Sequence, residues 1–350
     1  MSVQLRDEVD TGIGGGGVAN GAGPLLLAGD IGGTKTVLAL VAPDGAVVSE
    51  ATFASRDHAE FDEIVLAFRR RFPAVVERVC LSVAGPVIDG RAEITNLPWV
   101  LDEERLAASL SVGSVHLMND LQATAYALAT LRPEQLHPLH RAQAEPGGTR
   151  AVVAVGTGLG EAALIAGERG ELALPSEGGH TDFAPRGAVQ RGLLAWLQHE
   201  YEHVSYERVC SGHGIPNIYR YLRERGGTPE PAWLSAAFAA TDDPTPVIAA
   251  AGLRGGGDGC PVCRRTLSVF AAILGAEAGN LALRTLATGG VFVGGGIPPR
   301  LRPVLLGRAF REGYLRKGVM SDLVARIPVH LILEPRAAVL GAARYAAARG

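Results

Sequence analysis

The chain has 350 residues, 47% hydrophobic and 20% charged, an ordinary globular balance. A formal net charge of −3 and a pI near 6.3 leave no electrostatic footprint for a nucleic acid or an anionic membrane. Four cysteines, Cys80, Cys210, Cys260 and Cys263, are too few in so long a chain for a disulfide scaffold, so a reducing cytoplasm is expected.

Residues 1–23 hold acids, a run of four glycines and little to bury, and are expected to form a disordered tail with no signal peptide. No apolar run is read as reaching the roughly 20 residues of a spanning helix. The length exceeds what one core usually fills, so two domains are expected.

From Leu25 strands and helices alternate. Leu25–Gly29, Thr36–Val41 and Ala46–Ala54 read as three strands, with turns at Gly32-Gly33 and Pro43-Asp44-Gly45. Glu60–Arg71 reads as a helix with Phe61, Ile64, Val65 and Phe68 on one face. Arg78–Ala84 and Val115–Met118 read as buried strands, and Leu121–Leu131 as a helix opened by Asn119-Asp120. The second half repeats the rhythm. Ala151–Val155 and Ala162–Gly167 form a strand pair around the turn Gly156–Gly160. Helices follow over Gly187–Tyr201, Ile215–Arg225, Ala232–Ala240 and Pro261 to about Ala287. Val291–Val293 is a strand leading into Gly294-Gly295-Gly296-Ile297-Pro298, Val329–Leu333 another strand, and Ala337–Ala348 a closing helix. Arg141–Gly148 and Arg254–Gly259 read as exposed loops. This is an α/β layout in which both halves open with strand, glycine loop, strand.

Those two glycine loops carry the first functional signal. Glycine lets backbone N–H groups approach a polyanion closely, and successive N–H groups in a turn make a concave anion site. Two such loops point to a nucleotide gripped from both sides. Neither fits the Walker spacing nor the dinucleotide fingerprint.

Other residues carry one or two readings each. Asp120 is either an N-cap or a general base at the carboxyl end of a strand. Glu177-Gly178-Gly179-His180 is either a tight turn or a rigid loop presenting an acid and an imidazole to a polyhydroxyl ligand. Glu207 reads from local sequence as lying in the first turn of a helix capped by Ser205, where acids are common. Cys260 and Cys263 form a Cys-x-x-Cys at a helix start and read as two incidental cysteines; the alternative is a structural or redox role, with a thiol pKa lowered by the helix start.

Taken together, several segments resemble the bacterial glucokinase family, ATP-dependent hexose kinases of the actin-like sugar-kinase superfamily. They are Gly-Asp-Ile-Gly-Gly-Thr-Lys-Thr at 29–36, Val-Ala-Gly-Pro-Val at 83–87, Thr-Asn-Leu-Pro-Trp at 95–99 and Met-Asn-Asp-Leu-Gln-Ala at 118–123. Gly-Thr-Gly-Leu-Gly at 156–160, Pro-Ser-Glu-Gly-Gly-His-Thr-Asp-Phe-Ala-Pro at 175–185, Tyr-Glu-Arg-Val-Cys-Ser-Gly at 206–212 and Gly-Gly-Gly-Ile-Pro-Pro-Arg at 294–300 complete the set. His213 departs from the family pattern, in which a proline is common at that place.

The resemblance implies an α/β fold of actin-like, ribonuclease-H-like type, with two domains closing over a central cleft. It implies a smaller domain of residues 24–130 plus 331–350 and a larger one of 131–330. It implies transfer of the ATP γ-phosphoryl group to the 6-hydroxyl of glucose, with Asp120 as base. Asn96, Asn119, Glu177, His180 and Glu207 are then the sugar ligands. Asp30, Gly32, Gly33, Thr34 and Lys35 form the first phosphate loop, with Asp30 beside Mg²⁺. Gly156, Thr157 and Gly158 form the second, and Gly294, Gly295, Gly296 and Ile297 the adenosine motif. A cytoplasmic homodimer is implied, with glucose and ATP as its small-molecule partners and neither nucleic acid nor membrane. Two rivals stay open: a kinase for another or several hexoses, and a sugar-binding regulator without catalysis.

Overall fold

A computed structural model describes residues 24–349 except 95, 169, 227–229 and 256–258. The tail expected over residues 1–23 and part of the loop Arg254–Gly259 lie outside the described residues.

The first half builds β1 (Leu25–Ile31), β2 (Lys35–Val41), β3 (Val47–Ala54), α1 (Phe61–Arg71) and β4 (Val76–Val83). A short ladder of β5 (Arg91–Glu93) and β6 (Val100–Asp102) follows, then α2 (Glu103–Leu110), β7 (Ser114–Asn119) and α3 (Asp120–Ala127). The sheet order is β3-β2-β1-β4-β7. β2 runs antiparallel to β1 and β3, while β1, β4 and β7 are parallel. The central strands read as near-continuous apolar runs because both faces of this sheet are covered. In α1 the buried residues are Phe61, Ile64, Val65 and Phe68, one helical stripe; acids open the helix and three arginines close it, matching its dipole.

The second half builds β8 (Leu136–His140), β9 (Arg150–Val155), β10 (Leu159–Gly167) and β11 (Gly170–Ser176). Helices α4 (Gly187–Leu197), α5 (Gly214–Gly226), α6 (Ala232–Ala239), α7 (Thr245–Leu253) and α8 (Pro261–Arg284) follow. Then come β12 (Gly290–Gly294), α9 (Arg302–Leu305), α10 (Arg308–Leu315), α11 (Ser321–Ala325), β13 (Val329–Ile332) and α12 (Ala337–Ala348). Its sheet order is β11-β10-β9-β12-β13-β8. Without the edge strand β8, order and direction repeat the first sheet strand for strand.

Three cores set the layering. α1 and α2 cover the outer face of the first sheet through Phe61, Phe68 and Leu106. α3 and α12 fill the space between the two sheets, joining Ala28, Ala39 and Met118 of one to Val152, Leu164 and Phe292 of the other. α5, α8 and α10 cover the far face of the second sheet through Ile218, Phe270 and Phe310. Small residues allow the α3–α12 approach: a Cβ on Gly341 would collide with the Ala123 carbonyl.

The structure departs from the sequence reading in several places. β1 runs on through Asp30 to Ile31, held by pairing with β2 and β4 on both sides. β8 and β11 are edge strands whose mixed patterns hid them; Leu172 and Leu174 of β11 are exposed. α7 accommodates Pro246 in its first turn, where the missing N–H has no intrahelical partner to lose. α8, with 24 residues, is long and apolar enough by composition to cross a membrane, contrary to the reading of no such run. It is the central helix of the largest core, and it carries the buried Glu277.

Candidate active site

The parallel strands β1, β7, β9 and β12 carry, at their ends or on the loops that follow, Asp30 and Gly32–Thr34, Asn119-Asp120, Gly156–Gly158 and Gly294–Ile297, the position where open α/β sheets present ligand sites. In the first sheet, Asp30 pairs in register with Ser82, and Val83 with Asn119. Ser82 Oγ donates to Asp30 Oδ1 at 2.7 Å. Burial pushes the Asp30 carboxyl above its usual range, against the lowering pull of Ser82 and Lys35. The Gly32–Thr34 turn is closed by Gly32 N–H donating to the Lys35 carbonyl at 3.0 Å. Ser55 fastens it: its Oγ donates to the Gly32 carbonyl at 2.7 Å and its N–H to the Thr34 carbonyl at 3.0 Å. Thr34 and Lys35 are exposed at the tip.

Asn119, not Asp120, caps α3. Asn119 Oδ1 accepts from Leu121 N–H at 2.9 Å and Gln122 N–H at 3.4 Å, and its Nδ2 donates to the Gly85 carbonyl at 3.1 Å. Most of this amide is thus committed to the fold. Asp120 becomes the first helical residue, with Oδ1 on Leu121 N–H at 2.8 Å. Its carboxyl is pushed up to about 7, first by burial, then by the charges of Asp30 and, more weakly, Glu177. A carboxyl titrating near neutrality is suited to accept a proton.

The second glycine loop joins β9 to β10. Gly156 N–H donates to the Gly158 carbonyl at 3.0 Å, and Gly212 N–H to the Gly156 carbonyl at 2.8 Å. Ile297 N–H donates to the Val155 carbonyl at 3.2 Å, and Gly295, with φ of 89°, presses against the same carbonyl, where no side chain fits. Gly156–Gly158, Gly212 and Gly294–Ile297 are therefore one surface. Cβ atoms on Gly156 and Gly296 would meet nothing within 4 Å, so these two glycines face open space.

Glu177 caps and His180 ends a single 3-10 turn over Gly178–His180, with His180 Nε2 and Glu177 Oε2 3.9 Å apart. The turn lies flat on β10: a Cβ on Gly179 would collide with the Leu159 carbonyl. Glu207 is in a loop turn rather than the first turn of a helix; α5 begins only at Gly214. Glu207 N–H donates to the Gly179 carbonyl at 2.9 Å, and Glu207 Oε2 accepts from Leu159 N–H at 3.0 Å, directly beside Gly158. His180 and Glu207 line a cavity of about 350 Å³ together with Glu200, Tyr201, Glu202, His203, Ser205 and Arg208. Glu177 is outside its lining, and Asn96 stands exposed on the loop between β5 and β6, with φ of 65°.

Ser55 and Ser82 were invisible to sequence reasoning, since isolated serines carry no pattern until pairing brings them to a loop; Gly212 stood only at the end of the segment 206–212, without a role. In the Cys-x-x-Cys, the helix start does not lower the thiol of Cys263. Both thiols are buried, Cys260 Sγ caps α8 by accepting from Cys263 N–H at 3.4 Å, and burial pushes the Cys263 thiol well up.

A family model described as glucokinase matches residues 27–349. A glucokinase of a Nostoc species is 39% identical over 341 residues, covering 92% of this chain and 99% of its own. The crystal structure of a glucokinase from an Antarctic psychrotroph has a TM-score of 0.78 at 32% identity, covering 92% of this chain and 98% of that one. A ROK family glucokinase from Streptomyces griseus, in complex with glucose and AMPPNP, has a TM-score of 0.63 at 22% identity over 92% of this chain and 99% of its own, a likeness of fold alone.

Proposed function

The chain belongs to the glucokinase family, and on that premise we propose that it transfers the γ-phosphoryl group of ATP to the 6-hydroxyl of glucose with Asp120 as general base. The observation that carries this reading is the release of Asp120 from capping duty by Asn119, which leaves a half-buried carboxyl titrating at about 7 at the end of β7.

Phosphoryl transfer needs positioning and charge stabilisation more than covalent chemistry. The loops Gly32–Thr34 and Gly156–Gly158 cradle the phosphates through the N–H groups of Gly33, Thr34, Thr157 and Gly158, those of Gly32 and Gly156 closing the turns themselves, and Lys35 adds a cation at the tip of the first loop. Gly294–Ile297 supports the nucleoside. Asp120 accepts the proton of the attacking hydroxyl. Asn96, Asn119, Glu177, His180 and Glu207 bind the sugar hydroxyls. Paired hydrogen bonds of this kind reject a sugar lacking one hydroxyl far better than apolar contacts would.

Asp30 fits Mg²⁺. Its half-buried carboxyl sits where its charge bears on Asp120, so this acidic pair favours a cation. No group of three or more His, Cys, Asp or Glu side chains able to hold a metal occurs among the described residues, and magnesium held by one carboxylate plus phosphates needs none. When bound, the ion would offset charge on the phosphates.

The reading includes two domains, 24–130 plus 331–350 and 131–330, closing on the ligands, and a cytoplasmic homodimer. The repeated sheet topology supports the two halves. An ATP-coupled turnover assay over a panel of hexoses, with Asp120→Asn beside the parent, tests the function. Turnover of several epimers at similar kcat/KM would favour a general hexose kinase; no turnover of any would favour a sugar-binding regulator. Light scattering tests the dimer.

A further inference from the structure

A buried polar cluster lies beneath the two loops that face the sugar, and the proposed chemistry does not use it. Glu161 of β10 is 1% exposed and Glu277 of α8 is fully buried. Arg284 donates to Glu161 Oε2 at 2.9 Å and also to Glu277. Asn280 Nδ2 donates to Glu277 Oε2 at 2.9 Å and to the Tyr206 hydroxyl at 2.9 Å. Lys317 closes the far side, donating to the Ala276 carbonyl at 2.7 Å and to Asn280 Oδ1.

This cluster touches both loops. Glu161 sits opposite Ser176 in the β10–β11 register, and its carboxyl lies against Gly178, so near that a Cβ on Gly178 would collide with Oε2. Tyr206 precedes Glu207, and its own N–H donates to the Thr181 carbonyl at 3.0 Å. The loop with Glu177 and His180 thus rests on Glu161, the loop with Glu207 hangs from Asn280 through Tyr206, and one helix, α8, carries the other ends of both links.

We propose that Glu161, Glu277, Asn280 and Arg284 are positioning residues that hold loops 177–180 and 205–207 in the single relative geometry that sugar binding requires. This rests on the sugar-site reading given above. Apolar side chains of the same volume would fill the space without the desolvation that buried charges suffer, but they would not fix two loops to one another. A hydrogen-bonded network does so, because each bond restricts direction as well as distance, even though Glu161 Oε1 is left without a partner. Burial, with the Glu277 charge added, pushes the Glu161 carboxyl up to about 8, so an uncharged side chain of the same shape is tolerated at that place.

The test is glucose KM, nucleotide Kd and melting temperature for Glu161→Leu, Asn280→Leu and Glu161→Gln in the full chain. Misplacement by about an ångström is worth up to ~100-fold, so the two leucine variants are expected to raise glucose KM about 10–100-fold with nucleotide Kd nearly unchanged. Glu161→Gln, whose amide oxygen still accepts from Arg284, recovers most of the loss. A lower melting temperature with unchanged glucose KM in the folded protein would overturn the proposal, as would equal losses of glucose and nucleotide affinity. If Glu161→Leu does not fold, Asn280→Leu decides alone. His180→Ala separates the two levels of the argument. If it weakens glucose binding and the cluster variants do not, positioning is wrong and the sugar site stands. If none of them weakens it, the sugar site lies elsewhere.

Discussion

Asp120→Asn is expected to lower turnover while raising stability at alkaline pH. The substitution keeps the size of the side chain and one oxygen for Leu121 N–H, and the cap on α3 is untouched because Asn119 supplies it. What it removes is the proton acceptor. Loss of a general base costs about 10²–10⁴-fold in kcat, equivalent to about 3–5 kcal/mol of barrier. Stability responds with the opposite sign. The folded-state pKa of Asp120 is raised from 3.8 to about 7. Its contribution to stability is therefore fully present below the unfolded value and is lost as pH rises through about 7. Asparagine carries no such loss. The variant should gain on the parent by on the order of 1–2 kcal/mol at pH 8, a figure discounted for solvent screening, and by almost nothing at about pH 3, below the unfolded value. Coupled-assay kinetics and urea melts at both pH values measure the two effects. A variant that turns over within a few-fold of the parent would refute the base assignment, and one less stable than the parent at pH 8 would refute the burial argument.

Four further outcomes follow from the geometry. Alanine at Glu177 or His180 should weaken glucose binding while leaving nucleotide Kd intact, and loss of a hydrogen bond to a charged group is worth about 1.5–3 kcal/mol. Glu207→Ala should weaken both ligands, because Glu207 Oε2 also holds Leu159 N–H beside the second glycine loop; calorimetry with each ligand separates the cases, and an unchanged nucleotide Kd for Glu207→Ala would count against that link. Gly341→Val should prise α12 from the Ala123 carbonyl of α3, lowering stability by about 1–3 kcal/mol in a urea melt as overpacking does; an unchanged midpoint would show that the helices separate freely. Because the expected sugar ligands divide between the two sheet halves, saturating glucose alone should reduce the radius of gyration in small-angle scattering, since only a closed form engages both sets. An unchanged radius in a sample shown by calorimetry to bind glucose would argue for a one-sided site.

Much of this was readable in the chain before any tertiary information. The apolar runs Leu25–Gly29 and Ala151–Val155, each broken by glycines, mark strand-loop-strand units because a run buried on both faces has no polar alternation and a turn of that tightness favours glycine. The stripe of Phe61, Ile64, Val65 and Phe68 marks α1 for the same local reason. Edge strands such as β11 escaped, because one of their faces and one of their edges meet water and leave little pattern. Ordinary helix capping statistics left Asp120 undecided between cap and base. They favour Asn and Asp almost equally, and two adjacent candidates compete for the same N–H groups.

The sequence by itself determined the α/β class, the two glycine loops and the membership that several coinciding motifs reveal, since all of these rest on local backbone preferences and the order of residues along one chain. Only the tertiary structure decided that Asn119 takes the cap and leaves Asp120 available, that Ser55 and Gly212 fasten the two loops, and that Glu161 lies beneath Gly178. Those facts depend on which strands become neighbours. Ser82 reaches Asp30 across 52 positions and Arg284 reaches Glu161 across 123, separations at which nothing in a local window couples one residue to the other until the sheet register and the packing of α8 bring them within hydrogen-bonding distance.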